Sequence, residues 1–313
     1  MKKSALILLF LLLAGCSDDF SPNGEYRKRL IVYAVMDGSS STQLFRVYST
    51  FSPEVYDPLK SSPVTDIPNA LVKIVDGYVT YQFHDTLITV SNPSGGTNQV
   101  RVYVNYGLLP VEKKVYALTV FAPGFDTVKS SISSMYSGDI IPGNPGLFAK
   151  PATEKYIPLR VSSGVNAKAY LAMIFLEYVV SGDTLKREVP VLVTKDIAGV
   201  VTERFYPKIT FWDASTNLAS SYETVTFESA AYISTISDIK KQYQGATVKF
   251  QRAILTLVQF DNSLYTYYSI TNAFGGGSTI RLDEPDYTNI SNGFGVFGMM
   301  TKQERSYGLP ADL

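Results

Sequence analysis

Apolar and polar residues alternate in short runs along most of this chain, and turn-forming clusters interrupt the runs roughly every ten positions. Leu30 to Met36 (LIVYAVM) is a short apolar strand, ended by Asp37-Gly38 and a serine run. In Gln43 to Thr50 (QLFRVYST) the alternation sets Leu44, Arg46 and Tyr48 on one side and Phe45 and Val47 on the other. Ser52 to Pro68 holds four prolines and reads as a loop. Ala70 to Val75 and Tyr78 to Phe83 are expected to form a hairpin around Asp76-Gly77, with further strands at Leu87–Val90, Val100–Val104 and Val115–Phe121. The stretch 136–152 carries three prolines and three glycines and reads as a connection between two bodies. Strands are expected again at Tyr156–Val161, Ala169–Val180, Glu188–Thr194 and Val200–Phe211.

Two segments break the period of two. From Glu228 to Tyr243, Ala230, Ile233, Ile236 and Ile239 recur at helical spacing, Lys240-Lys241 suit a helix C-terminus and Gly245 can stop it. Asp261 to Thr271 reads as a second short helix capped by Asp261. Between them Ala246 to Phe260 is a long strand. The expected architecture is mainly β, an antiparallel sandwich over residues 30–135 and a larger β domain with one or two short helices over 153–313, joined by the 136–152 connection.

The first thirty residues obey a different rule. Lys2 and Lys3 precede an apolar run from Ala5 to Leu13, a secretory layout too short for the ~20 residues a bilayer span needs. The run stops at Leu13-Ala14-Gly15-Cys16, which resembles the lipobox of bacterial lipoproteins. In that resemblance residues 1–15 are removed and Cys16, the only cysteine, becomes an acylated N-terminus. No thiol then remains for a disulfide, a zinc site or a nucleophile. Ser17-Asp18-Asp19 resembles the acidic tract that sends lipoproteins of Bacteroidota to the cell surface. The rest of 16–29 is a polar tether.

Composition narrows the partners. Loss of Lys2 and Lys3 leaves 26 basic against 28 acidic side chains, so nothing implies a nucleic-acid-binding face. Aromatics are 13% of residues, with 22 Tyr and 17 Phe, a mix suited to pleated surfaces.

Candidate chemistry is sparse. Gly293-Phe294-Gly295-Val296-Phe297-Gly298 spells a dinucleotide fingerprint, but no βαβ unit surrounds it and 15 residues follow Gly298. The expected role is to let a strand bend or pack closely, with no nucleotide and no cofactor. The triple glycine 275–277 reads as a loop. His84 is the only histidine, and it faces solvent if Tyr81 and Phe83 face the core. Asp283-Glu284-Pro285-Asp286 lacks calcium-loop spacing and reads as a solvated turn, so no metal site is expected. Asp85-Thr86-Leu87, Asp126-Thr127-Val128 and Asp183-Thr184-Leu185 resemble O-glycosylation triplets of exported Bacteroidota proteins; as plain sequence, Asp-Thr also suits a turn entering a strand. No pair of acids is singled out for catalysis.

The segment Tyr116 to Val128 (YALTVFAPGFDTV) resembles the end of small immunoglobulin-like or transthyretin-like modules. The terminal run NISNGFGVFG, with Asn289, Asn292, Gly293, Gly295 and Gly298, is similar to the end of a family of Bacteroidota outer-membrane lipoproteins classed as a domain of unknown function. The order of elements before it agrees, although Ser278-Thr279-Ile280 stands where the family carries a Pro-Phe pair. That resemblance implies a lipid-anchored surface protein of the outer membrane, often found beside TonB-dependent transporters, and no catalytic residues. The expected function is a binding or accessory lipoprotein, with a structural or adhesive envelope protein as the alternative and a carboxylate hydrolase third.

Overall fold

The computed structural model describes residues 27–51, 66–91, 96–191, 193–197, 201–205, 212–213, 222–271 and 287–313. The chain divides into two units, Met1–Lys28 with Phe51–Pro63, and Arg29–Thr50 with Val64–Leu313. Nearly all of the first lies outside the described residues, and the second holds the described strands and helices.

The N-terminal strands of this second unit are β1 (Leu30–Asp37), β2 (Gln43–Ser49), β3 (Leu71–Val75), β4 (Thr80–Ser91), β5 (Thr97–Asn105), β6 (Val115–Phe121) and β7 (Val128–Ser133). Next come β8 (Asp139–Pro142), helix α1 (Gly146–Ala149), β9 (Tyr156–Ser162), β10 (Ala169–Val180), β11 (Asp183–Val189), β12 (Val193–Ile197), β13 (Val201–Phe205), β14 (Trp212–Asp213) and β15 (Glu223–Glu228). Helix α2 (Ser229–Gln242), β16 (Val248–Phe260), helix α3 (Asn262–Thr271) and β17 (Phe294–Gly308) complete the order. The protein is mainly β, as its period-two pattern predicts.

One sheet carries most of the strands, in the order β11-β10-β16-β17-β1-β2-β5-β4-β3-β6-β7. Beyond it, β15-β9-β8 form a smaller sheet and β12-β13 a two-stranded antiparallel sheet. The large sheet folds over within β4. Thr80–Phe83 pairs with β3, while His84–Ser91 pairs with β5. The bend lays Phe83 on Phe45, with ring centroids 4.4 Å apart. The alternation predicts two separate strands here. The polar His84-Asp85-Thr86 segment that suggests a break lies inside one continuous strand, paired to Val104, Tyr103 and Val102. The hairpin turn is also longer than Asp76-Gly77, spanning residues 76–79, with Asp76 N donating to Val79 O at 3.1 Å.

The N-terminal sandwich encloses Val32, Phe45, Val72, Ile74, Leu118, Val120, Phe297 and Met299. The second core lies between β10 and β16 on one side and β8, β9, β15 and α2 on the other, and includes Ile157, Leu159, Ile174, Leu176, Phe227, Tyr232 and Leu255. In α2 the buried residues Ala231, Tyr232, Thr235, Ile236 and Ile239 keep helical spacing, while Ala230 and Ile233 of the expected stripe are exposed. The 136–152 connection is built into this core: Ile140, Leu147 and Phe148 are buried there.

The strand pattern predicts an antiparallel sandwich over residues 30–135, and one pairing of its first strand departs from that. β1 and β17 are parallel, in register from Ile31↔Phe294 to Asp37↔Met300. A parallel neighbour needs a long crossover, and here the crossover is nearly the whole intervening chain. At Met300, β17 changes partner, and Met300 to Gly308 pairs with Phe260 to Arg252 of β16. A single strand thus walls both cores. The runs LIVYAVM and AYLAMIFL are apolar on both sides because β1 and β10 lie inside the sheet and are covered on more than one face.

Substituting Gly298 should test this joint. A Cβ there would lie 2.5 Å from Leu264 Cγ, whereas one at Gly308 meets nothing within 4 Å. Gly298→Val is expected to lower stability by about 1–3 kcal/mol and Gly308→Ala to leave it nearly unchanged, as read by urea unfolding.

Candidate functional site

The terminal motif is the best-defined polar construction among the described residues. Chain reversal at Asn292, which has φ 62°, brings Gly293 against the Leu30 carbonyl and starts β17 alongside β1. Gly295 has φ 101°, and a Cβ on it would sit 2.1 Å from the Val32 carbonyl oxygen, so only glycine fits there. Asn289 works as a substitute peptide group. Its Oδ1 accepts from Phe297 N at 2.9 Å, and its Nδ2 donates to Phe297 O at 2.6 Å and to Ser263 Oγ at 3.2 Å. Asn292 Nδ2 donates to Thr127 O at 3.3 Å.

Asp261 completes the clasp from beneath. It caps α3, its Oδ1 accepting from Leu264 N at 2.8 Å, as its position before the helical run predicts. Its Oδ2 accepts from Met299 N at 3.0 Å, and its own N–H donates to Met299 O. Burial pushes this carboxyl up to about 6, against the opposing pull of the backbone N–H groups it accepts. Leu264 then seats on Gly298, beside Phe260 and Val296. Asn289, Asn292, Gly293, Gly295 and Gly298 are therefore brought together, and what they build is a structural clasp. The close strand packing expected of the glycine string is what they provide.

Other polar groups are tied up individually. Glu177 is buried on β10, gripped by Arg252 through Nε–Oε1 at 2.5 Å and Nη2–Oε2 at 3.2 Å. The Tyr103 hydroxyl on β5 accepts from Ala70 N at 2.9 Å and donates to Ile67 O, closing the N-terminal sandwich, and burial raises its pKa. His84 is exposed on β4, as the alternation predicts. Asp85 belongs to the sheet rather than to a turn. It pairs with Arg101 at 2.5 Å and accepts from Asn69 N, whereas Asp126-Thr127 and Asp183-Thr184 do stand at strand entries.

Two concave regions are lined by described residues alone. A groove of about 550 Å³ runs over β6 and β7 beside Asn289 and Ser291, lined with Thr119, Lys129 and Ser131. A cleft of about 290 Å³ between β11 and α2 is lined by Arg187, Glu188, Ser234, Thr235 and Asp238. Loss of solvent around the Glu188 carboxyl raises its pKa. That the two acids share a cleft is not legible in sequence, since Glu188 and Asp238 are 50 positions apart and meet only through the packing of α2 on β11. Among the described residues, no three or more His, Cys, Asp or Glu side chains are grouped to hold a metal ion. No described helix is long and apolar enough to cross a membrane. Cys16, Ser17, Asp18, Asp19, the triple glycine 275–277 and the acids 283–286 lie outside the described residues.

The clasp makes a pH prediction. Asp261 holds its proton more tightly folded than unfolded, so folding takes up a proton between about pH 4 and 6. Its contribution to stability is therefore greatest below pH 4, falls as pH rises through that window, and is level above it. The two-unit shift corresponds to up to about 3 kcal/mol. The slope should appear as the difference between wild type and Asp261→Asn in unfolding measurements from pH 4 to 7. Asn289→Ala, which strips both Phe297 backbone groups of partners, should cost about 2–3 kcal/mol at any pH. No protein-family model matches the sequence, and no curated protein matches it significantly.

Proposed function

We propose that this protein is a lipid-anchored accessory or binding protein of a bacterial outer membrane, attached through acylated Cys16 and facing the cell exterior. The observation that carries the reading is the apolar run ending in Leu13-Ala14-Gly15-Cys16, a secretory layout with a nucleophilic thiol at its cut site. Two or three acyl chains give the stable attachment that one does not. Ser17-Asp18-Asp19 supports the outward-facing location, and the NISNGFGVFG run supports kinship with the Bacteroidota lipoproteins it resembles. From that kinship comes the partner, a TonB-dependent transporter. The clasp built by that run ties β17 to β1 and α3 and also borders the groove over β6 and β7.

The hydrolase alternative gains one location from the structure, the cleft shared by Glu188 and Asp238. Assay of Glu188→Gln against polysaccharides would test it; loss of an activity present in the wild type would replace the binding reading.

Attachment and orientation can be checked together. Cys16→Ser is expected to move the protein from the membrane to the soluble fraction and abolish labelling by a fatty-acid analogue. Protease added to intact cells is expected to remove the body of the wild type, and crosslinking through the acylated form to recover one outer-membrane barrel. Protection from protease would place it on the periplasmic face. Recovery of copies of itself without a barrel would favour the structural or adhesive role.

A further inference from the structure

At one end of the N-terminal sandwich the usual burial of apolar residues fails. Tyr78 is 96% exposed and Tyr106 68%, and Val79, Leu109, Val111 and Val115 are each about half exposed or more. All six belong to two neighbouring loops and the first residue of β6. Val75 pairs with both Thr80 and Ala117, so the 76–79 turn lies beside the start of β6. Lys114 Nζ is 3.8 Å from Asp76 Oδ2, joining the two loops directly. Asn105 Nδ2 donates to Gln82 O, which brings the 106–111 loop to the same end. Together the six expose on the order of 600 Å², large for a single patch on a monomer.

The loops are held in place by their own hydrogen bonds. Val79 N donates to Asp76 Oδ1, Gly107 N to Asn105 Oδ1 and Val111 N to the Tyr116 hydroxyl. Leu108 is buried, and its carbonyl accepts from Gln43 Nε2. Such a surface presents rigid aromatic and aliphatic anchors with little ordering cost on binding.

We infer that this tip is a docking surface for a second, different protein whose complementary face has apolar pockets for Tyr78 and Tyr106. Four observations choose that occupant. β1 runs from Leu30 to Asp37, and Gln43↔Asn105 pairing places the tip at the Asp37 end. The chain enters at Arg29, so the tip lies ~25 Å from the point where an anchor would attach. Its charges balance, Asp76 and Glu112 against Lys113 and Lys114, leaving no cationic excess to hold a lipid surface. Asp76 and Lys114 are paired with each other, and so do not stand ready to grip sugar hydroxyls. The size is near the ~800 Å² that each side of a standard protein interface contributes.

This rests on the proposed binding function, deepening it to a surface and a partner class. The test places a photo-crosslinking residue at position 78, at 106 and, as a control, at exposed Ser237 on α2, in the acylated protein on intact cells. The expected result is one protein adduct of the same mass from 78 and 106 and none from 237. Leu109→Ser with Val111→Ser should reduce that adduct at least tenfold without changing the melting temperature. An adduct of twice the protein's own mass, adducts to phospholipid alone, equal yield at 237, or no adduct would each overturn the proposal. Fatty-acid labelling of the same samples separates the two readings. An unlabelled protein that still forms the adduct would refute the anchor and keep the tip, and a labelled one that forms none would do the reverse.

Discussion

Everything in this fold depends on the parallel contact between β1 and β17. The N-terminal sandwich is open on one side without Phe297 and Met299, and the C-terminal sheet ends at β16 without residues 300–308. Parallel pairing is slightly less favourable per residue than antiparallel pairing. The contact is strengthened from both faces: β1 and β17 share the first core inside, and α3 covers Val296 and Gly298 outside. The Asn289 amide and the Asp261 carboxylate then supply hydrogen bonds to the Phe297 and Met299 backbone, Asp261 capping α3 at the same time.

This arrangement explains why buried polar side chains are concentrated at the start of β17. Buried Asn, Asp and Gly side by side suggest a ligand site, and their partners are groups of the protein itself. A buried carboxyl with a raised pKa is a frequent mark of a catalytic acid, yet Asp261 is occupied at both oxygens. The apolar tip is found where loops end, which is where binding surfaces carried on a rigid sheet ordinarily lie.

Local signals in the sequence are legible and distant ones are not. The helix 229–242 is announced by isoleucine spacing and terminal lysines, and Asp261 declares its cap by standing before a Tyr-rich turn. The strand 169–180 can be read to the residue because its run is long and apolar. The parallel partnership cannot, since nothing in LIVYAVM says that its neighbour lies 263 positions on. Strand β4 looks like two strands because half of it faces water and carries His84 and Asp85. Prolines and glycines in 136–152 spell a loose connection, yet three large apolar residues between them are enough to fix it in the core. The terminal glycines are recognisable as packing glycines, but which backbone they admit depends on the register with Val32. Exposure of Tyr78 is invisible for the opposite reason: a tyrosine in a turn has the same spelling whether it is covered or bare.

The strand shared by both cores also orders events in time. Residues 30–37 leave the ribosome far ahead of residues 294–308, and until those arrive the first sandwich lacks a wall. The last strand acts as a latch: neither core is closed until the final residues of the chain are available to pair, so completion of both is set by topology and comes late.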